Sequence, residues 1–282
     1  YRMLEQDLDE RRPLPDALHH RMMVRYNEYL AVGGMPQAVE SFVNGESYQE
    51  IDRIKRGIIG LYIDDFRKID PTGSLGTYFR SIPSELSRQS MRFRIKGKAM
   101  KMEIKRISEM TDSQTVQRCM HVDDPRVGLP MTQVPEFFKL FLEDTGLFVT
   151  LCFYDREFSD NTIYKSLVRG RLPANLGYVY ENAVAQGLKA AGYELFYHTF
   201  PKNDSKHKYE INFIIPSGKK VCPIEVKSSS VSRHASLDAF IEKHGSDVHR
   251  GIMISGKNLK EEDGIVYLPI YMTGLLNRLR RN

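Results

Sequence analysis

The chain has 282 residues, of which 41% are apolar and 27% charged, and a mean hydropathy of −0.42. These values exclude a disulfide scaffold, a disordered tail and a bundle of membrane helices. Forty-one Lys and Arg against 36 Asp and Glu leave a net charge of +5, which permits a polyanionic partner without requiring one.

The opening Tyr1-Arg2-Met3-Leu4 has neither an initiator Met nor the apolar core of a secretory signal, so the expectation is a cytoplasmic chain trimmed at its start. Residues 1–71 read as helical. A first helix starts at Leu14-Pro15-Asp16, carries Leu18, Met22, Tyr26 and Tyr29 at helical spacing, and closes at Gly33-Gly34. Pro36 opens a short second helix that Asn44-Gly45 breaks. Ser47-Tyr48-Gln49-Glu50 has capping-box spacing and opens a third, with Ile51, Ile54, Ile58 and Tyr62 facing one way and an end near Asp70-Pro71.

Residues 72–160 change in texture. Arg80, Arg88, Arg92, Arg94, Lys96, Lys98, Lys101, Lys105 and Arg106 face only Glu85 and Glu103, a local surplus of +7 that exceeds the whole-chain value. Ile82–Ser90 reads as a helix, and Met91–Lys96 alternates as a strand with Arg92, Arg94 and Lys96 on one face and Phe93 and Ile95 on the other. A helix over Val134–Leu142 and a strand over Leu147–Tyr154 complete a winged-helix-like expectation; Asp112–Pro130 gives little periodic signal.

Residues 161–282 have the clearest order. A helix from about Ala174 to Ala191 stops at Gly192 and places Gly177, Glu181, Val184 and Leu188 on one face. Strands are expected at Glu194–His198, Tyr209–Ile215, Lys220–Lys227 and Gly251–Ser255, with a helix carrying Leu237, Phe240 and Ile241 before the last, and a further strand within Ile265–Met272. The order is α-β-β-β-α-β, a mixed α/β domain.

The third of these strands places Glu225 and Lys227 two residues apart, on one sheet face, with Ile224 and Val226 on the other. The second pairs Glu210 with Asn212 in the same way, and Glu181 lies on the core-facing side of the preceding helix. A carboxylate cluster beside an ammonium suits metal-dependent phosphodiester hydrolysis, in which oxygen ligands hold Mg²⁺ or Mn²⁺ and the lysine positions water. The same Glu225–Lys227 pair also reads as an ordinary ion pair on a half-exposed strand. The Arg92, Arg94, Lys96 and Lys98 stripe reads equally as a phosphate-contacting face, a solvated edge or a contact for an acidic protein surface. The eight histidines show no paired ligand spacing, and Cys119, Cys152 and Cys222, odd in number and far apart, support neither a disulfide framework nor a zinc site.

In this order the elements resemble the PD-(D/E)xK nuclease superfamily, with its restriction-endonuclease-like fold. More specifically, the chain resembles the C-terminal portion of a large prokaryotic group of AAA-type ATPases that carry such a domain, of unknown function, behind the ATPase module. The stretches that carry the resemblance are Tyr29-Leu30-Ala31-Val32-Gly33-Gly34-Met35-Pro36, Phe137-Phe138-Lys139-Leu140-Phe141-Leu142-Glu143-Asp144-Thr145-Gly146-Leu147, Tyr180-Glu181-Asn182-Ala183-Val184-Ala185-Gln186 and Glu225-Val226-Lys227. The resemblance implies a lid-type helical segment over 1–71, a missing upstream ATPase module that binds ATP, and a nuclease-like domain over 161–282. It also implies site roles for Glu225, Lys227, Asn212 and Glu181, with metal held by Glu225, Glu181 and Glu210. The chain departs from the pattern in two places. No G-x-x-x-x-G-K-[ST] loop occurs in it, and Asn212 stands where the pattern Glu-Val-Asp-Phe carries its central aspartate, removing one formal charge from the metal site. Two functions follow as expectations: a nucleic-acid-binding, nuclease-like module, or a non-catalytic module that docks the ATPase or another protein.

Overall fold

The structure, a computed structural model, describes residues 2–88, 90–95, 100–126, 128–155, 162–170, 177–202, 207–228 and 234–280. Helices come first: α1 (Arg2–Glu10), α2 (Asp16–Val32), α3 (Pro36–Val43), α4 (Tyr48–Ile69), α5 (Ser74–Ser87) and α6 (Met100–Asp112). Strands β1 (Val116–Val122) and β2 (Gln133–Leu142) follow, then α7 (Thr145–Cys152), α8 (Thr162–Val168) and α9 (Gly177–Ala190). The chain continues through β3 (Phe196–Pro201), β4 (Lys208–Ser217), β5 (Lys220–Val226), α10 (Ala235–His244), β6 (Gly251–Ser255), β7 (Lys260–Glu262) and β8 (Ile265–Pro269) to a 3-10 segment, Ile270–Arg280. This is a mixed α/β architecture, a helical region followed by a mixed sheet. Two compact units share it: a helical unit of Met23–Arg118 and Leu140–Gln186, and a sheet unit of Tyr1–Met22, Cys119–Lys139 and Gly187–Asn282.

In the helical unit the local signals act as the sequence predicts. Gly33, at φ +84°, ends α2, and Pro36 sits in the first turn of α3. The Ser47 side chain accepts the Glu50 N–H at the start of α4, and Asp70 follows its last turn.

What locks these helices together is a buried polar knot. Asp144, 3% exposed, accepts the Gly34 N–H at 2.6 Å and, as N-cap of α7, the Leu147 N–H at 2.7 Å. Gly33 and Gly146 touch backbone to backbone, and a Cβ on Gly146 would stand 2.4 Å from the Val32 carbonyl oxygen and 2.6 Å from Gly33. Below them Lys55, fully buried, donates to the Ala31 and Gly146 carbonyls at 2.6 and 3.2 Å and lies 2.8 Å from the Tyr164 hydroxyl. That hydroxyl and the Thr150 hydroxyl both donate to Asp52, at 2.6 and 2.7 Å, and Arg56 closes the group with an ion pair to Asp52 at 2.7 Å. On the far side Asn182 accepts the Leu142 N–H at 2.8 Å, and Gln186 accepts the Thr145 hydroxyl at 2.7 Å. Three of the four stretches that carry the family resemblance therefore meet at Asp144-Thr145-Gly146. Burial pushes Lys55 down to about 8, opposed by Asp52 and Asp144, and lifts Asp144 above the ordinary carboxylate range against its N–H donors.

The sheet runs β2-β1-β3-β4-β5-β6-β8-β7. β3, β4 and β5 are antiparallel neighbours, while β5, β6 and β8 run parallel, with Ile224 opposite Ile252 and Ile252 opposite Val266. The succession α9, β3, β4, β5, α10, β6 reproduces the expected α-β-β-β-α-β order, and β8 occupies the anticipated late strand. One core cluster of this unit joins Val122, Phe196, Phe200, Ile211, Ile214, Val221 and Phe240.

The middle of the chain differs from expectation. Residues 134–142 form strand β2 rather than a helix, and residues 145–152 form helix α7 rather than a strand. Residues 138–142 and 145–151 are all buried, and burial on all sides erases the periodicity that tells strand from helix there. No strand forms over residues 91–95; Lys96 and Lys98 lie outside the described residues. Strand β1 sits inside the stretch that gave no signal, because two of its buried positions are the polar Gln117 and His121.

Asp144→Ala should leave the buried Leu147 N–H and the half-buried Gly34 N–H without their acceptor and remove a helix cap, at a cost of about 2–4 kcal/mol. Denaturant unfolding checks this, and a loss under about 1 kcal/mol would show that the knot does not hold the helical unit.

Candidate functional site

Strands β4 and β5 bring Asn212, Glu225 and Lys227 to one end of the sheet. The paired ladder runs as far as Phe213 opposite Ile224. Beyond it the Asn212 side-chain carbonyl accepts the Val226 N–H at 2.9 Å, supplying the next link between the strands from a side chain. On the other side of β5, the Lys227 N–H donates to the Ile254 carbonyl of β6 at 2.9 Å. The end of β5 is thus fastened on both flanks.

Glu225 is 3% exposed, and its Oε1 lies 2.7 Å from the Lys227 ammonium. Its Oε2 is buried and has no hydrogen-bond partner among the described residues. Glu225 stands opposite Met253 of β6, which stands opposite Tyr267 of β8. Met253 and Tyr267 pack with Leu237 and Ile241 of α10, so the carboxylate shares its sheet face with an apolar cluster.

Glu210 is engaged elsewhere on the sheet. Glu210 is opposite Thr199, and its carboxylate forms an ion pair at 2.5 Å with Lys139 of β2, itself 5% exposed. Glu181 belongs to the helical unit. Among the described residues, no group of three or more His, Cys, Asp or Glu side chains is placed to hold a metal ion. A hard divalent cation takes six or more oxygens. At this sheet end Glu225 offers one uncommitted oxygen, its other oxygen faces an ammonium, and the Asn212 carbonyl already accepts a backbone proton. Among the described residues, those at this sheet end do not fit Mg²⁺ or Mn²⁺.

Several cations of the basic segment are engaged by local acids. Arg94 donates to Glu85 at 2.9 and 3.3 Å, and Arg88 takes the same carboxylate at 3.1 Å. Arg106 pairs with Glu103 at 2.6 Å and lies 3.7 Å from Asp70. Three of the nine cations of this segment therefore have acid partners, and two of those acids, Glu85 and Glu103, are the ones the +7 surplus already counts. Among the described residues no helix is long and apolar enough to cross a membrane.

Two groups of residues escaped the sequence reading: the charged knot around Asp52, Lys55 and Asp144, and three histidines, His121, His198 and His244, that the fold gathers. The signal for the knot lay in the three resemblance stretches. For the histidines, far apart in sequence, there was none.

Residues 23–157 are similar to a family described as Domain of unknown function (DUF8612), and residues 176–272 to one described as Domain of unknown function (DUF4143). No curated protein and no solved structure matches the chain.

Lys227→Ala should leave the Glu225 carboxylate buried and unpaired and cost about 1–2 kcal/mol of stability. The cost should largely vanish when Glu225→Gln is already present, a coupling that a double-mutant cycle reads directly. Equal costs in both backgrounds would mean that the pair has no structural part.

Proposed function

We propose that this chain is a non-catalytic docking module: a nuclease-like sheet domain with a degenerate site, joined to a helical unit, that binds the AAA-type ATPase module which the resemblance places upstream. The observation that carries this reading is the hydrogen bond from the Val226 N–H to Asn212 Oδ1. The position where the family pattern supplies a metal-binding carboxylate is here a neutral amide that stitches two strands.

Three further observations support it. The α-β-β-β-α-β succession suits a restriction-endonuclease-like fold, and the domain of unknown function matched over 176–272 coincides with that segment. Glu225 Oε1 is taken by the Lys227 ammonium, as in a retained but disused pair. Arg88, Arg94 and Arg106 are each engaged by a local acid, which commits three of the nine cations of the basic segment to contacts within the chain. The resemblance gives ATP a role only through the upstream module.

The test has two arms. Calorimetric titration with Mn²⁺ should show no binding by the chain, nor by Asn212→Asp, and Mn²⁺-dependent cleavage of single- and double-stranded DNA should be absent. Binding to the separately purified ATPase module should be measurable. Cleavage that Lys227→Ala abolishes would overturn the reading in favour of a nuclease. DNA binding with a steep salt slope, and no binding to the ATPase module, would overturn it in favour of a nucleic-acid partner.

A further inference from the structure

Helix α10 covers part of the sheet, and histidines hold it at both ends. At its start His234 Nδ1 lies 2.6 Å from Asp238, one turn on, and His234 Nε2 lies 3.2 Å from the Tyr267 hydroxyl. At its end His244 packs on Phe240 with ring centres 4.8 Å apart and meets the ring of His198 edge-on at 6.1 Å. His198 of β3 stacks on His121 of β1 at 5.8 Å and on Phe200 at 5.7 Å. Three imidazoles from three elements thus form a row walled by phenylalanines, with His121 and His198 only 7% and 5% exposed.

Hydrogen bonds set the protonation of the row. His198 Nδ1 lies 2.7 Å from the Val122 carbonyl oxygen, which accepts only, so Nδ1 carries a proton. His121 Nε2 accepts from the Thr199 N–H at 3.3 Å, which places the proton of a neutral ring on Nδ1. His121 Nδ1 and His244 Nε2 are buried without a hydrogen-bond partner among the described residues. An added charge in this row meets another imidazole about 6 Å away and little solvent.

The surrounding charges single out the middle ring. His121 faces Asp123, 3.5 Å away, and Glu210, against Lys208. His244 faces Asp124 and Asp247 against Lys243 and Arg126. The charge-bearing groups that act on His198 are His121, His244 and Lys243, all basic. Burial lowers all three histidines, and His198 is pushed down to about 4.

We propose that the His121–His198–His244 row is an acid-sensitive latch: uncharged, it holds the C-terminal half of α10 on the sheet, and protonation releases that half while the His234–Asp238 end stays pinned. Release uncovers Phe200 and Phe240, an apolar surface absent from the latched form. The direction follows from linkage. A histidine held below its free value of 6.5 favours the latched state fully above that value, and the preference is lost as pH falls toward the folded-state value. For His198 alone, the ratio of released to latched molecules rises about thirtyfold between pH 7.5 and pH 5.

Hydrogen exchange resolved to residues 235–244, corrected for intrinsic rates, tests this in the intact chain. The expected result is a tenfold or greater gain in opening of the α10 C-terminal half from pH 7.5 to 5, with β5 and β6 unchanged, and a smaller gain in His244→Phe, which keeps the ring packing without the charge. An unchanged α10, or simultaneous opening of β5 and β6, would overturn the latch. The imidazole NMR titration of His198 in the unmodified chain gives an independent check that requires no variant to fold. A midpoint below 6 supports the proposal, and one at or above 6 overturns it.

Discussion

Asp144 is the group on which the helical unit depends. Its two oxygens hold the turn after α2 and the first turn of α7, and they do so because Gly33 and Gly146 let two backbones approach to a distance that no side chain would permit. Lys55, Asp52, Arg56 and Tyr164 extend the same network beneath it. Burying this many charged and polar groups is tolerable only when nearly every one is satisfied, and replacing a single member strands its partners. Such a network adds little net stability over an apolar core.

In the sheet unit a similar logic replaces chemistry with structure. A carboxylate at position 212 would bring a charge toward Glu225, and a cation would be needed to hold the two together. The neutral amide removes that need and bonds Val226 instead. Glu225 keeps its lysine, and α10 places apolar side chains on the same face. The position of the resemblance is thereby part of the sheet's fastening.

Much of the fold was legible wherever a local rule has a single outcome. Ser47, Pro36 and Gly33-Gly34 marked helix boundaries because capping, a fixed φ and a left-handed turn are local physics. The α-β-β-β-α-β order followed from alternation and turn residues. Legibility failed where burial is complete. Phe138 to Leu142 and Leu147 to Leu151 are both buried throughout, and which became strand and which helix depended on Asp144 as a cap and on neighbours distant in sequence. It failed again where charged residues go inside. Lys55 and Asp52 sit on the buried face of α4 alongside Ile51 and Ile58, and no periodicity argument places a lysine there. The pairing of Glu210 with Lys139 spans 71 positions and is equally invisible to spacing rules.

The central claim is that Asn212 is a structural link and not a vestigial ligand, and the Val226 amide reports on it directly. Hydrogen exchange at that amide, in the native chain and in Asn212→Ala, is the decisive measurement. The account requires a protected amide in the native chain and exchange at least about tenfold faster in the variant, as expected for loss of a half-buried hydrogen bond worth about 1.4 kcal/mol. Equal exchange rates in the two proteins would contradict it.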